Sequence, residues 1–354
     1  MKVSFAIGIA TAGALLLGAC ASGSDAPASA ASTAASTGAD AAPAAGGSVT
    51  VLVYDSFALP EDVIADFTAT TGIDVSFEPV GDAGVLTNQI ALTAGAPLGD
   101  AVYGIDNTFA SRAIASGALA DYVSPHAVES VDGKLTAIDF SDVCFNVDLA
   151  AFDAGNPAPA TFEDLLDPAY AGMVSVSNPT TSSPGLALLL ATYATYGDGW
   201  ADYWRQLRDN GLKVSAGWSD TYFVDFSAPN YGGDFPIVLS YASSPPSEVI
   251  DGEPTTAALL DTCFRQTEYA GVLDGAANPE GAQAVVDWLL SDTVQSALPE
   301  NMYVYPISPT ATIPATWEQF APLAQNPVIM DPAHIAEHRD RLLREWSEIV
   351  IEGR

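Results

Sequence analysis

Basic residues are scarce in this chain. Eleven lysines and arginines stand against 44 aspartates and glutamates, a formal net charge of −33, and the only lysines are Lys2, Lys134 and Lys213. Such a surface repels phosphate backbones and anionic headgroups, which argues against a nucleic-acid partner. Charged residues of both signs make up 16% of the chain and hydrophobic ones 49%, so 354 residues can bury a sizeable core as two lobes or one large domain. The plainest source of the acidity is a solvated, salt-tolerant surface, which is compatible with attracting a cationic ligand.

Nucleophilic and metal-binding side chains are few as well: three cysteines and three histidines. No G-x-S-x-G elbow occurs, so serine hydrolysis lacks its usual signature, and no P-loop occurs, so any ATPase must be another subunit. One enzyme-like motif is present, "HIAEH" from His334 to His338, which fits the H-x-x-E-H pattern of some zinc peptidases. Its histidines share one helix face, but a third ligand from a distant acid is needed, and the adjoining "RDRLLREWSEIV" reads as a terminal surface helix. A zinc-dependent hydrolase is the least favoured reading; no metal, no cofactor and no catalytic residue is expected. The remaining histidine, His126, lies in a polar segment and is read as solvated.

The N-terminal "MKVSFAIGIATAGALLLGAC" carries one lysine, then an apolar run too short to span a bilayer comfortably, then small residues. It reads as a signal sequence. "LGAC" resembles the lipobox of bacterial lipoproteins, which implies cleavage after residue 19 and a lipid on Cys20; a plain secretory signal is the alternative. Residues 20–48 are almost entirely Ala, Ser, Thr, Gly, Asp and Pro, and cannot bury apolar area. They read as a disordered tether holding an extracytoplasmic body to the cell membrane through the lipid alone. Cys144 and Cys263 then remain for the body, and in an exported protein such a pair is more often a disulfide than two free thiols.

From residue 49 short apolar strands alternate with helical periodicity. "VTVLVYD" is followed by "LPEDVIADFTATTG", with Val63, Ile64 and Phe67 at helical spacing and Gly72 as the stop. "IDVSFEPV", "AGVLTNQIALTAG" and "GDAVYGID" continue the pattern. In the second half "GMVSVSNP", "LKVSAG" and "FPIVLSY" read as strands, and "TTSSPGLALLLATYATYG" and "GWADYWRQLRDNG" as helices. "SDTYFVDF" reads as a helix capped by Ser219, with Asp220 favouring its start. "LLDTCFRQTEYAGVL" reads as a long strand and "NPEGAQAVVDWLLSDTVQSAL" as one well-capped helix. Alternation of this kind predicts an α/β fold, with ligands beyond the carboxyl ends of the strands.

"VYDSF", "GIDN", "TSSPGLALLL", "GWSDTY", "VLSYASSP" and "MYVYP" occur in an order and spacing that resemble the thiamine-binding proteins of ABC importers, over roughly residues 49–350. The resemblance implies a two-lobed type II periplasmic-binding-protein fold, each lobe a mixed, mostly parallel sheet flanked by helices. It places lobe 1 at about 49–143 and 264–310, lobe 2 at about 144–263, and C-terminal helices at 311–354. It implies a monomer that carries thiamine or a thiamine phosphate to an ABC permease and its ATPase subunit. It also puts Cys144 and Cys263 in the two crossover segments, where a bridge would tie hinge strands together.

Thiamine is flat and permanently cationic, so it calls for aromatic faces and a carboxylate in a cleft that excludes water. The resemblance implies Tyr54 as an aromatic wall, Asp106 with Asn107 beside it as the polar or anionic position, and Trp218 and Tyr241 as packing aromatics. Tyr222 lies one helical turn beyond Trp218, and Tyr303 stands where the family more usually has a tryptophan. Ser182 and Ser183 open a helix before Pro184, as an ordinary cap or as a phosphate seat. The alternative cargo is another cation, a polyamine or ferric iron; a clustered tyrosine pair for iron is missing beside Tyr241.

Overall fold

The computed structural model describes residues 46–354. The expected signal segment, Cys20 and the tether up to residue 45 lie outside the described residues. The first strand begins at Gly47, slightly before the expected start of the body at residue 49.

Eight strands form one continuous path. They are β1 (Gly47–Val53), β2 (Ile73–Pro79), β3 (Ala101–Asp106), β4 (Leu135–Asp148), β5 (Val174–Ser177), β6 (Lys213–Ser215), β7 (Ile237–Tyr241) and β8 (Phe264–Val272). Their order is β2-β1-β3-β8-β4-β7-β5-β6. The outer pairs are parallel, β1 with β2 and β3 on one side and β5 with β6 and β7 on the other. The middle is antiparallel: β8 pairs β3 and β4, and β4 pairs β7.

The long strand β4 belongs to both halves. Val143 pairs Phe264 of β8 on one flank and Tyr241 of β7 on the other, and this is where β4 passes from one half to the other. The Cys144–Cys263 disulfide lies at that handover, with both residues buried. Bridging there ties the crossing strands and leaves the outer parallel strands of each half unconstrained.

Helices pack where their sequences dictate. Helices α1 (Glu61–Thr71), α2 (Ala83–Leu92) and α3 (Ala110–Ala115) serve the first half. Helix α4 (Ser183–Tyr196) is buried from Ser183 to Thr192, as its all-round apolar sequence requires, and α5 (Trp200–Asp209) packs against it. The expected single helix over 278–298 is two: α6 (Pro279–Trp288), capped by Asn278, and α7 (Asp292–Met302), capped by Ser291. Ser291 supplies an N-cap acceptor to Val294, so a new helix starts there and the first one ends. Helices α8 (Ala315–Phe320) and α9 (Pro332–Trp346) close the chain.

The segment at Ser219 also differs from expectation. Residues Asp220–Asp225 form a π-helical turn, and Ser219 is itself helical with no capping bond. Its hydroxyl instead lies 3.4 Å from Asp55 Oδ1. π-turns of this kind concentrate at functional sites.

The disulfide closes a loop of 119 residues. A Cys144→Ala/Cys263→Ala variant should lose about 2–5 kcal/mol of unfolding free energy, read from urea titrations.

Candidate ligand-binding site

Loops leaving the carboxyl ends of the strands of both halves converge on one point, as open α/β sheets require. Tyr54 follows β1, Asp82 follows β2, Ser183 follows β5, Trp218 follows β6, and Tyr241 ends β7. Together with Glu268 of β8 they surround a cavity of about 10 Å³. That is room for about one water, so a ring-sized ligand must part the two halves to enter.

Backbone irregularity places Tyr54. The β3–β8 register skips Gly104, which sits at φ +103 as a bulge residue, and the ring of Tyr54 lies against it. A Cβ at Gly104 would come within 2.1 Å of that ring. A second bulge, in β4 opposite the same point of β8, skips Ile138. Both irregularities adjoin Tyr269, the residue after Glu268, and bulges re-aim side chains beside sites in this way. The phenol of Tyr54 donates to Glu268 Oε2 at 3.1 Å.

The aromatics form two layers. Trp218 lines the cavity, and its indole N–H donates to Ser240 at 3.0 Å. Tyr222 stacks behind it, centroids 5.2 Å apart and planes at 12°, and is fully buried. Its hydroxyl donates to Glu248, which also accepts from Tyr231 and Asn230. Tyr222 therefore fixes the indole and does not line the cavity. Tyr241 lies 5.7 Å from Trp218 on the cavity side, and Tyr303 6.0 Å away outside the lining.

The carboxylates that line the cavity are those of Asp82 and Glu268, and the expected Asp106 is not among the lining residues. Asp106 is fully buried; its Oδ1 accepts from the Thr108 N–H and hydroxyl and from the Phe109 N–H, while Oδ2 has no partner. Glu268, directly opposite Asp106 in the sheet, reaches the cavity instead. Asn107 binds the β8 backbone through Arg265 and Thr267, and lines a separate surface groove of about 360 Å³. Burial pushes the Asp106 carboxyl up to about 7, against the pull of Thr108 and Phe109. Burial, then the neighbouring Asp139 and Asp106, hold Glu268 well above the usual carboxylate range.

Asp82 joins the halves. Its Oδ2 accepts the Trp218 N–H at 2.8 Å, and its Oδ1 accepts from Ala83 and, at 3.4 Å, from the Ser183 N–H at the start of α4. Nearby, the Gly84 N–H donates to the Thr181 carbonyl at 3.0 Å, an approach that a Cβ at Gly84 would obstruct at 2.7 Å. The hydroxyls of Ser182 and Ser183 are buried; Ser182 lies beside Asp82 and stabilises its charged form, and Ser183 Oγ has no partner among the described residues. Burial raises the Asp82 carboxyl, and the Trp218 N–H works in the opposite direction.

Asp82 and Glu268 went unnamed in the sequence reading. Asp82 had a signal, since it occupies a strand exit like those of Asp55 and Asp106. Glu268 had a weaker one, as a lone acid inside a strand of mostly buried residues. The His334, Glu337 and His338 donors lie within 4.8 Å of one another on the water-facing side of α9, over Tyr193. The third donor thus comes from the motif itself, and the trio shares no residue with the cleft.

Gly104→Ala should displace Tyr54 and weaken ligand binding at least tenfold, measured by titration, with secondary structure by circular dichroism retained. A carboxyl with a raised folded-state pKa keeps its proton while the unfolded chain loses it. Asp106 should therefore favour folding at low pH and lose that contribution as pH rises from about 4 to about 7. Urea midpoints should fall across that window, less steeply in Asp106→Asn.

Comparison with known proteins fits this geometry. A periplasmic thiamin binding protein of known structure superposes with a TM-score of 0.77 at 26% identity, over 86% of this chain and 96% of that one. The thiamine-binding periplasmic protein of Escherichia coli is 27% identical over 85% of this chain and 93% of its own length. Iron-bound HitA from Pseudomonas aeruginosa, at 21% identity and a TM-score of 0.66 over 84% of this chain and 99% of its own, shares the fold. The two-lobed, type II periplasmic-binding-protein architecture follows from these matches. Residues 100–324 match the bacterial extracellular solute-binding proteins, and the chain belongs to that family.

Proposed function

We propose that this protein captures thiamine outside the cytoplasm and delivers it to an ABC permease served by a separate ATPase subunit. One observation carries the reading: Tyr54, Trp218 and Tyr241 meet the carboxylates of Glu268 and Asp82 around one cleft that, among the described residues, no basic side chain lines. A flat cation satisfies both sets at once, through ring faces and through charge in a low-dielectric space. In this reading Tyr222 and Tyr303 support Trp218, and Asp106 acts through Glu268. Lobe 1 takes about 49–143 and 264–310, lobe 2 about 144–263, and they hinge on β4 and β8. Cys20 carries the lipid, residues up to 48 form the tether, and the protein works as a monomer without catalysis.

The buried hydroxyls of Ser182 and Ser183, the latter without a partner among the described residues, favour a second reading, in which thiamine phosphates seat at the start of α4. Asp82 already accepts the Ser183 N–H there, so a phosphate has to displace that carboxylate. Other cations, a polyamine or ferric iron, remain the rival cargo.

Titration with thiamine, its monophosphate, spermidine and ferric citrate tests the reading. Tryptophan fluorescence should quench on thiamine and stay unchanged with spermidine and iron; a response to either of those without thiamine binding would overturn it. Trp218→Ala and Glu268→Gln should each weaken thiamine binding at least tenfold, about 1.4 kcal/mol. Asp106→Asn, one position behind the cleft, should weaken it less than Glu268→Gln does.

A further inference from the structure

Asp106, Glu268 and Asp139 occupy one register line across β3, β8 and β4, Glu268 pairing with Asp106 on one side and Asp139 on the other. All three are buried, Asp106 and Asp139 completely. Like charges opposite one another in adjacent strands repel, and burial magnifies the cost. Among the described residues no ion pair involves any of them; the bases in the strands of their sheet pair elsewhere, Arg265 with Asp142 and Lys213 with Asp225.

The surroundings add acids and phenols. Tyr54 from β1 donates to Glu268, and Tyr103 from β3 donates to Asp139. Gln266 donates to the other oxygen of Glu268. Tyr241 from β7 and Asp82 from the loop after β2 meet Glu268 at the cavity. Among the described residues no donor reaches Asp106 Oδ2 or Asp139 Oδ1, and the Asp139 and Glu268 carboxyls adjoin each other. Three side-by-side carboxylates without a base cannot all be ionised in such a place, so the row carries protons.

We propose that the cleft exchanges a proton for its cation: the row holds the proton on the Glu268 side of the cleft, and a seated cation drives it into solvent. This rests on the reading of the site as a cation cleft. The exchange balances, since the protein gives up one H⁺ to bulk buffer as it takes up one positive charge, and the buried charge of the closed cleft is unchanged. The raised Glu268 and Asp139 carboxyls, the latter pushed up to about 7 by burial, are consistent with it. The exchange also discriminates: a neutral molecule of the same shape supplies no charge to replace the proton and leaves the row protonated.

The test is calorimetric titration of the full chain with thiamine at pH 7 in phosphate and in Tris, whose ionisation heats differ. Release of about one proton should make the observed heat depend on the buffer, and affinity should rise up to tenfold from pH 6 to pH 7. Asp139→Asn, which does not line the cleft, should bind thiamine and release markedly less proton. Identical heats in both buffers with full binding would overturn the exchange and leave the thiamine reading standing. No heat and no fluorescence change with thiamine in any buffer would remove the reading, and the exchange with it. Undiminished release in Asp139→Asn would also overturn the row as the source.

Discussion

Uncompensated negative charge inside the protein is the constraint around which this structure is arranged. A carboxylate buried alone would be neutralised, and one buried beside an arginine would have nothing left to offer a ligand. Glu268 has no base beside it, and in the proposed exchange its row is neutralised by a proton only until a cation replaces it. It is held by a phenol and an amide, which donate hydrogen bonds without supplying charge. Its neighbours Asp106 and Asp139 add repulsion without supplying a base. The aromatic rings in front complete the arrangement, because they exclude water while presenting electron-rich faces to the same point.

The sheet makes that arrangement possible. Acids from three different strands meet only because β4 and β8 run antiparallel through the middle, in register with β3. The bulges at Gly104 and Ile138 adjust that register beside the site. The same two central strands are the ones that connect the halves, so the acid row lies next to the hinge. The disulfide ties the crossing strands beside the row, and in the proposed reading the halves that carry Asp82 and Trp218 part about those strands.

Much of the fold was legible because its outer strands are short apolar runs between well-capped helices. The length of β4 was not. "LTAIDFSDVCFNVD" mixes polar and apolar residues because its two ends pair with different partners, and no local period reports that. The break between α6 and α7 rested on one serine competing as a cap. For the site, the resemblance implied the aromatics Tyr54, Trp218 and Tyr241, and these are the ones that line the cavity. Tyr222 shared the same helical turn, but its place in a second layer depends on Glu248, 26 residues further on. Between Asp106 and Glu268 the sequence offered no means of choosing. Both are acids on strands of buried residues and they pair directly across the sheet; Asp106 is turned onto its own loop by Thr108 and Phe109, which leaves the longer Glu268 to reach the cleft.

Two scales of electrostatics then act on a cationic ligand, and they separate in their response to salt. The acidic surface attracts cations from a distance, but beyond a Debye length of roughly 8 Å at physiological ionic strength that field is screened. The row beneath the rings lies in closed, low-dielectric protein, where mobile ions do not reach. Salt therefore acts chiefly on the approach and leaves the seated complex little changed, slowing association more than it hastens release. A protein with so acidic a surface can keep the surface for solubility in salt and leave retention of the ligand to three carboxylates and the indole in front of them.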